Sequence, residues 1–130
     1  MPSVFSKIVA GTIPVHKVAE DERFLAFLDV NPLCTGHVLV ITKIEVDYIF
    51  DLDDDTYLGL NLFAKKVAVG IKKVIPCLRI GVAVVGLEVP HVHIHLVPLN
   101  SIDDLNFSRP KLHLLPEELQ ATALLISGAV

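Results

Sequence analysis

The sequence predicts an α+β fold, and three observations carry that expectation. Runs rich in branched and aromatic residues, such as "RFLAFLD" at 23–29 and "HVLVI" at 37–41, occupy the first third and read as strands. One long stretch at helical period fills the middle, from Asp51 to Ile75. Two more strand-like runs follow it, so strands and helix are segregated rather than alternating. With 130 residues and 52% hydrophobic composition, the chain is expected to form one domain over 1–130, with a core that needs no disulfide or metal staple.

The elements follow in order. Phe5–Val9 can open a short helix, which the turn Gly11–Pro14 ends. Val15–Glu20 and Arg23–Asp29 are joined at Asp21–Glu22, close enough for a hairpin. The "NPLCTG" segment, Asn31–Gly36, has turn chemistry and leads into the aliphatic strand His37–Ile41. Asp51, Asp53, Asp54 and Asp55 supply an N-cap and first-turn acids that suit the helix dipole. Leu60, Phe63, Val67, Gly70 or Ile71, and Val74 then recur on one helical face, with Lys65, Lys66, Lys72 and Lys73 elsewhere, until Pro76 stops the helix. Arg79–Val85 and Val89–Val97 read as strands. The extension 100–130 carries a last helix, opened by Pro116, Glu117 and Glu118 and ended at Gly128.

Composition excludes several classes. The formal charge is −4 and no Lys/Arg cluster could track a phosphate backbone, so nucleic acid is not an expected partner. Cys34 and Cys77 are far apart and form no CxxC pair, which fits reduced thiols of an intracellular protein. "MPSVFSKIVAGTIP" lacks the basic-then-apolar pattern of a signal peptide, and no apolar run approaches the ~20 residues that span a bilayer. The expectation is a soluble cytoplasmic protein with no membrane partner.

The segment "HVHIHLVP" concentrates chemistry: His91, His93 and His95 alternate, though the chain holds six histidines in all. On a strand they share one face, leaving Val92, Ile94 and Leu96 to pack on the long helix. A polar solvent-facing strand is the bland explanation, and strict alternation of three weighs against it. A shared metal is limited by reach, since positions i and i+4 lie roughly 13 Å apart along a strand. A His-x-His pair with a third ligand from elsewhere stays possible. Nucleophilic or acid–base chemistry is the third explanation: a neutral ring can attack while a neighbour carries a proton.

The pattern His-φ-His-φ-His-φ-φ (φ apolar) resembles that of the histidine triad (HIT) superfamily. The segment "FSKIVAGTIPVHKVAEDERFLAFLDVNPLCTGHVLVITK" is similar to the N-terminal half of its Hint-like branch of nucleoside phosphoramidases and nucleotide hydrolases. The likeness covers most of residues 4–98. It implies an antiparallel sheet of about five strands, one long helix and a C-terminal helix, with the sheet continued across a homodimer. It implies that His93 attacks the α-phosphorus, flanked by His91 and His95, with His95 at the phosphate or leaving group. His37 would orient the nucleophile. Asp29 would hold both ribose hydroxyls, and Phe5, Phe27 and Leu39 would line the base pocket. The substrates implied are purine nucleoside monophosphates or their phosphoramidate and polyphosphate derivatives; no cofactor is implied.

Departures qualify the resemblance. Many relatives have Gly-Gln-Ser before the triad, where this chain has Gly86-Leu87-Glu88-Val89-Pro90. Glu88 cannot donate to a phosphate and is expected to point away, leaving Gly86 and the Val89 N–H on the phosphate side. Pro90 has no N–H to offer. Thr42-Lys43-Ile44-Glu45 replaces a Pro-Lys-x-His ending, and Ser3 and Ser6 stand where zinc-binding relatives place Cys-x-x-Cys, so no metal is expected. The tail from Asn100 is longer than in compact members and could shape the substrate entrance or the dimer. Four readings remain open: a hydrolase or phosphoramidase, a nucleotidyltransferase, a nucleotide-binding regulatory dimer with little catalysis, and a metal-dependent enzyme using His91 and His93. In the transferase branch the third histidine is commonly glutamine, so His95 favours hydrolysis.

Overall fold

The computed structural model describes residues 1–130. Helix α1 (Val4–Val9) precedes the hairpin β1 (Lys17–Glu20) and β2 (Phe24–Leu28), then β3 (Val38–Thr42). Helix α2 (Asp54–Val74), β4 (Arg79–Ala83), β5 (His93–Leu99) and helix α3 (Pro116–Ser127) complete the chain. The strands form one antiparallel sheet in the order β1-β2-β3-β5-β4.

Local chemistry places these elements where the sequence predicts, within a residue or two at most ends. Asp21 Oδ1 accepts from the N–H groups of Arg23 and Phe24, both at 2.8 Å, and closes the hairpin. Asp53 caps α2 by accepting from Thr56 N–H at 2.7 Å. The helix ends at Val74, two residues before Pro76.

β5 departs most. It starts at His93, not Val89, and runs to Leu99 rather than Val97. Pro90 cannot donate to a ladder, and residues 84–92 cross between strands instead of pairing. At the other end Pro98 is tolerated because the β3 ladder stops at the Val38–Leu96 pair.

Both sheet faces are covered, which explains why the central strands look continuously apolar. Phe24, Ala26, Leu28, Val38, Val40, Ile94 and Leu96 face α2 and α3, which contribute Leu60, Val67, Ile71, Leu119 and Ile126. Burial of each such Leu, Ile or Val stabilises the fold by about 1.5–3 kcal/mol. The opposite face carries Leu25, Phe27, Leu39 and Ile41, capped by Phe5 of α1. β3 pairs Leu39 with His95 and Ile41 with His93, so both imidazoles stand on that second face. Val92, Ile94 and Leu96 pack into the helix-side core, as the alternation requires.

Gly36 places His37. Its φ of +93° is left-handed, and a Cβ there would sit 3.0 Å from Ile75 Cγ1 and 3.3 Å from Pro98 Cγ. Gly11, at φ +82°, has open space around it. We expect Gly36→Ala to lower the unfolding free energy by roughly 1–3 kcal/mol, and Gly11→Ala by less. Denaturant titration of both variants checks this, and equal losses would contradict the packing argument.

Candidate active site

A cavity of about 570 Å³ opens on the second sheet face. Phe5, Phe27 and Leu39 make an apolar wall, Asp29 and His37 stand beside it, and His93 and His95 close the floor. Gly86 and Val89 reach it from the crossing segment. The predicted residues therefore converge, with one exception. His91 is fully buried and lies behind His93, outside the cavity wall.

Hydrogen-bond partners assign the imidazole tautomers, because backbone N–H groups only donate and carbonyls only accept. Leu33 N–H points at His37 Nδ1 (3.0 Å), so neutral His37 carries its proton on Nε2. That proton faces His95 Nδ1 at 3.0 Å, which leaves the His95 proton on Nε2. His93 Nδ1 lies 2.7 Å from the His91 carbonyl and donates to it. His93 Nε2 is then an unprotonated lone pair. His91 Nε2 donates to the Thr42 carbonyl at 2.7 Å, so its Nδ1 accepts from the Ser3 hydroxyl at 2.7 Å.

Ser3 is also the N-cap of α1, accepting from Ser6 N–H at 3.0 Å. Glu45 accepts from Ser3 N–H and from the Ser6 hydroxyl, both at 2.6 Å. These bonds hold its carboxyl down at a pKa of about 2. Ser3, Ser6, Glu45 and His91 thus form a hydrogen-bonded corner beneath the triad. Two hydroxyls do not make a zinc site, so the ligand set does not fit the structural metal of some relatives.

Burial drives the remaining electrostatics. The His37 pKa is pushed down to about 3, by desolvation first and then by the neighbouring His95 and Lys111. His95 falls to about 4 for the same first reason, with His93 and Lys111 adding. His91 is also lowered by burial, while Thr42 and Glu45 pull the other way. Burial raises Asp29, against the Asn31 N–H that bonds its Oδ1 at 2.9 Å.

Asp29, His37 and His95 bring one donor atom each within 4.8 Å of one another, an arrangement no sequence spacing pointed to. A cation there would need the His37 Nε2 lone pair, yet the Leu33 bond puts the proton on that atom. His37 and His95 are better described as a hydrogen-bonded pair with ordered protons, with Asp29 Oδ2 3.7 Å from His37. His91 has both ring nitrogens engaged by Thr42 and Ser3, so it does not share an ion with His93 either.

Sequence reasoning misjudged Glu88 and missed two residues. Glu88 does not turn away: it lines the cavity mouth, and its charge contributes to raising Asp29. Phe107 and Lys111, from the extension, also line the cavity, with the Phe107 ring 4.7 Å from that of His95. The available signal was thin: a lone Phe near Arg109 and Lys111, the two Lys/Arg residues of the tail.

The buried neutral imidazoles predict an acid-sensitive fold. Between about pH 6.5 and 4 the unfolded chain binds protons that His37 and His95 refuse, so stability falls as pH drops through that window. Asp29, shifted upward, offsets part of the loss at its acid end. The unfolding free energy should be lower by roughly 3–5 kcal/mol at pH 4.5 than at pH 7.5. Chemical denaturation at the two pH values measures it, and a flat profile would contradict the assigned neutrality.

A family model described as the HIT domain matches residues 10–102. The chain is 35% identical to the adenosine 5'-monophosphoramidase of Schizosaccharomyces pombe over 133 positions, covering 100% of this chain and 99% of that relative. It is 33% identical to an uncharacterised HIT-like protein of Borreliella burgdorferi over 132 positions, 95% of each. Its fold is similar to the crystal structure of a Hit-like protein involved in cell-cycle regulation from Bartonella henselae, with TM-score 0.86 and 27% identity over 98% of this chain and 96% of that one. The matched span includes the strand bearing His93 and His95 and the turn leading to His37, and on these grounds the chain belongs to the HIT family.

Proposed function

We propose that residues 1–130 act as a single HIT-like domain that hydrolyses nucleoside phosphoramidates or dinucleoside polyphosphates at the α-phosphorus. The observation that carries this reading is the tautomer order: a lone pair on His93 Nε2 beside a proton on His95 Nε2. His93 attacks phosphorus, and the His95 Nε2–H donates a hydrogen bond to the departing group, which takes its proton from solvent. Water then releases the nucleoside monophosphate from His93. His37 is a positioning residue, since it acts through His95. His91 is another, because its carbonyl holds the His93 Nδ1 proton.

Asp29 suits the ribose diol: Oδ1 is engaged by Asn31, and Oδ2 lies 3.7 Å from His37 Nε2 with room to accept. Phe5, Phe27 and Leu39 offer a dry wall for a purine. The adenosine 5'-monophosphoramidase among the relatives supports this substrate class. Glu88 at the mouth favours one other reading, a nucleotide-binding dimer with little turnover, because its charge opposes an anionic substrate.

The partner in solution is proposed to be a second copy. β4 is a sheet edge, and Val82, Val84 and Val85 are exposed along it and just beyond. An open apolar edge of this kind pairs readily with its own symmetry mate.

Incubation with an adenosine phosphoramidate and a dinucleoside polyphosphate tests the chemistry. His93→Ala should lose at least about 1,000-fold in kcat while still binding AMP. AMP release by wild type from neither substrate, with AMP binding intact, would transfer support to the binding reading. Asp29→Asn should mainly raise KM, by about 10-fold. For the assembly, Val82→Lys should convert a dimer into a monomer on light scattering; a wild-type monomer would sink the edge pairing.

A further inference from the structure

Lys111 is the one Lys or Arg lining the cavity, and the chemistry above leaves it unused. Its ammonium donates to the carbonyls of Phe107 and Arg109, so two of three N–H bonds are committed and one is free. The segment bearing it is fastened down. Arg109 Nη2 donates to the Leu33 carbonyl at 3.0 Å, and Leu112 N–H to the Pro32 carbonyl at 2.9 Å. Arg109 also pairs with Asp103 and Asp104 at 3.3 and 3.2 Å. This tail is therefore a built wall of the cavity.

Four rings stand in a row across the site. Centroids are 5.0 Å apart from Phe5 to His93, 5.0 Å from His93 to His95, and 4.7 Å from His95 to Phe107. The apolar residues Ile8, Phe27 and Leu39 gather at the Phe5 end. A base seated there directs whatever leaves the phosphorus toward Phe107 and Lys111. Asp29 and Glu88 are both acidic, so Lys111 is the single side chain that can neutralise an anion at that end. Its charge reaches the neighbourhood, lowering both His95 and His37.

We infer that Phe107 and Lys111 form a leaving-group subsite, which selects nucleoside 5'-phosphoryl substrates whose leaving group is negatively charged. The inference rests on the hydrolase reading of His93. As the His93 Nε2–phosphorus bond forms, the bond to the leaving group breaks and its electron pair departs with that group. An amine leaving group accepts a hydrogen bond from the His95 Nε2–H and takes its proton from solvent, while a phosphate keeps its charge against Lys111. Water then displaces His93, its oxygen joining phosphorus, and the released proton passes to solvent. The negative charge can belong to a phosphate or to a carboxylate carried on an amine.

Three adenosine 5'-phosphoryl substrates separate the cases: a phosphoramidate of a neutral alkylamine, a phosphoramidate of an amino acid, and a dinucleoside polyphosphate. Lys111→Met should lower kcat/KM about 10- to 100-fold on the charged substrates and by less than about threefold on the neutral one. Lys111→Arg should restore most of the loss. Whichever charged substrate suffers more identifies phosphate or carboxylate as the preferred group. Should Lys111→Met fail to fold, salt dependence of the wild type decides: kcat/KM must fall more steeply with ionic strength for the charged substrates. Equal losses on all three, or equal salt slopes, would overturn the subsite. Wild type inactive on every substrate would instead overturn the hydrolase reading beneath it.

Discussion

The hydrogen bond from Leu33 N–H to His37 Nδ1 is the constraint on which the site depends. A backbone amide can only donate, so one ring nitrogen of His37 is committed and the other must hold the proton. That assignment propagates to His95 through a single 3.0 Å contact. Had Nδ1 been protonated, His95 would have presented a lone pair to the cavity and no donor. The low pKa of both rings keeps the order intact, because neither gains a second proton near neutral pH. The "NPLCTG" turn therefore does chemical work although none of its side chains enters the proposed reaction. The extension fastens this same turn through Arg109 and Leu112, which ties the tail to the protonation pattern.

The sheet supplies the other half of the arrangement. One face is sealed by α2 and α3, and the opposite face is covered by the short α1, the crossing segment at Gly86–Val89 and the tail at Phe107 and Lys111. An incomplete cover over an apolar face is what leaves a cavity of about 570 Å³. His93 and His95 project into it because the partners of their flanking residues are on the sealed face. The histidines stay in place through the burial of Ile94 and Leu96 together with the bonds His93 makes to the His91 carbonyl and His95 to His37. His91 lies two residues before the strand, and there it can bond Thr42 and Ser3 while lending its carbonyl to His93.

Much of this was legible in the chain. Strict alternation in "HVHIHLVP" separates a reactive face from a packing face on geometric grounds, and the structure reports that separation for His93, His95, Ile94 and Leu96. The helix over 54–74 follows from spacing and from the Asp53 cap, and the hairpin from Asp21. Less legible was the start of β5, where the alternating pattern continued past the point at which Pro90 breaks pairing. Glu88 was misjudged because charge repulsion was weighed without knowing how the crossing segment bends. An exposed carboxylate at a rim keeps most of its hydration, so its cost there is small.

The sequence by itself determined which residues could react and which would be buried, since both depend on side-chain type and on periods of two and 3.6 along the chain. It also determined the family, through motifs spread over residues 4–98. Only the tertiary structure decided the tautomers, the retreat of His91 from the cavity, and the arrival of Phe107 and Lys111 beside His95. Each of these depends on a contact between segments far apart in the chain, such as Ser3 with His91 or Arg109 with Leu33. Local periodicity carries no term for such contacts, because they arise when the sheet and its covering segments bring distant backbone groups within hydrogen-bonding distance.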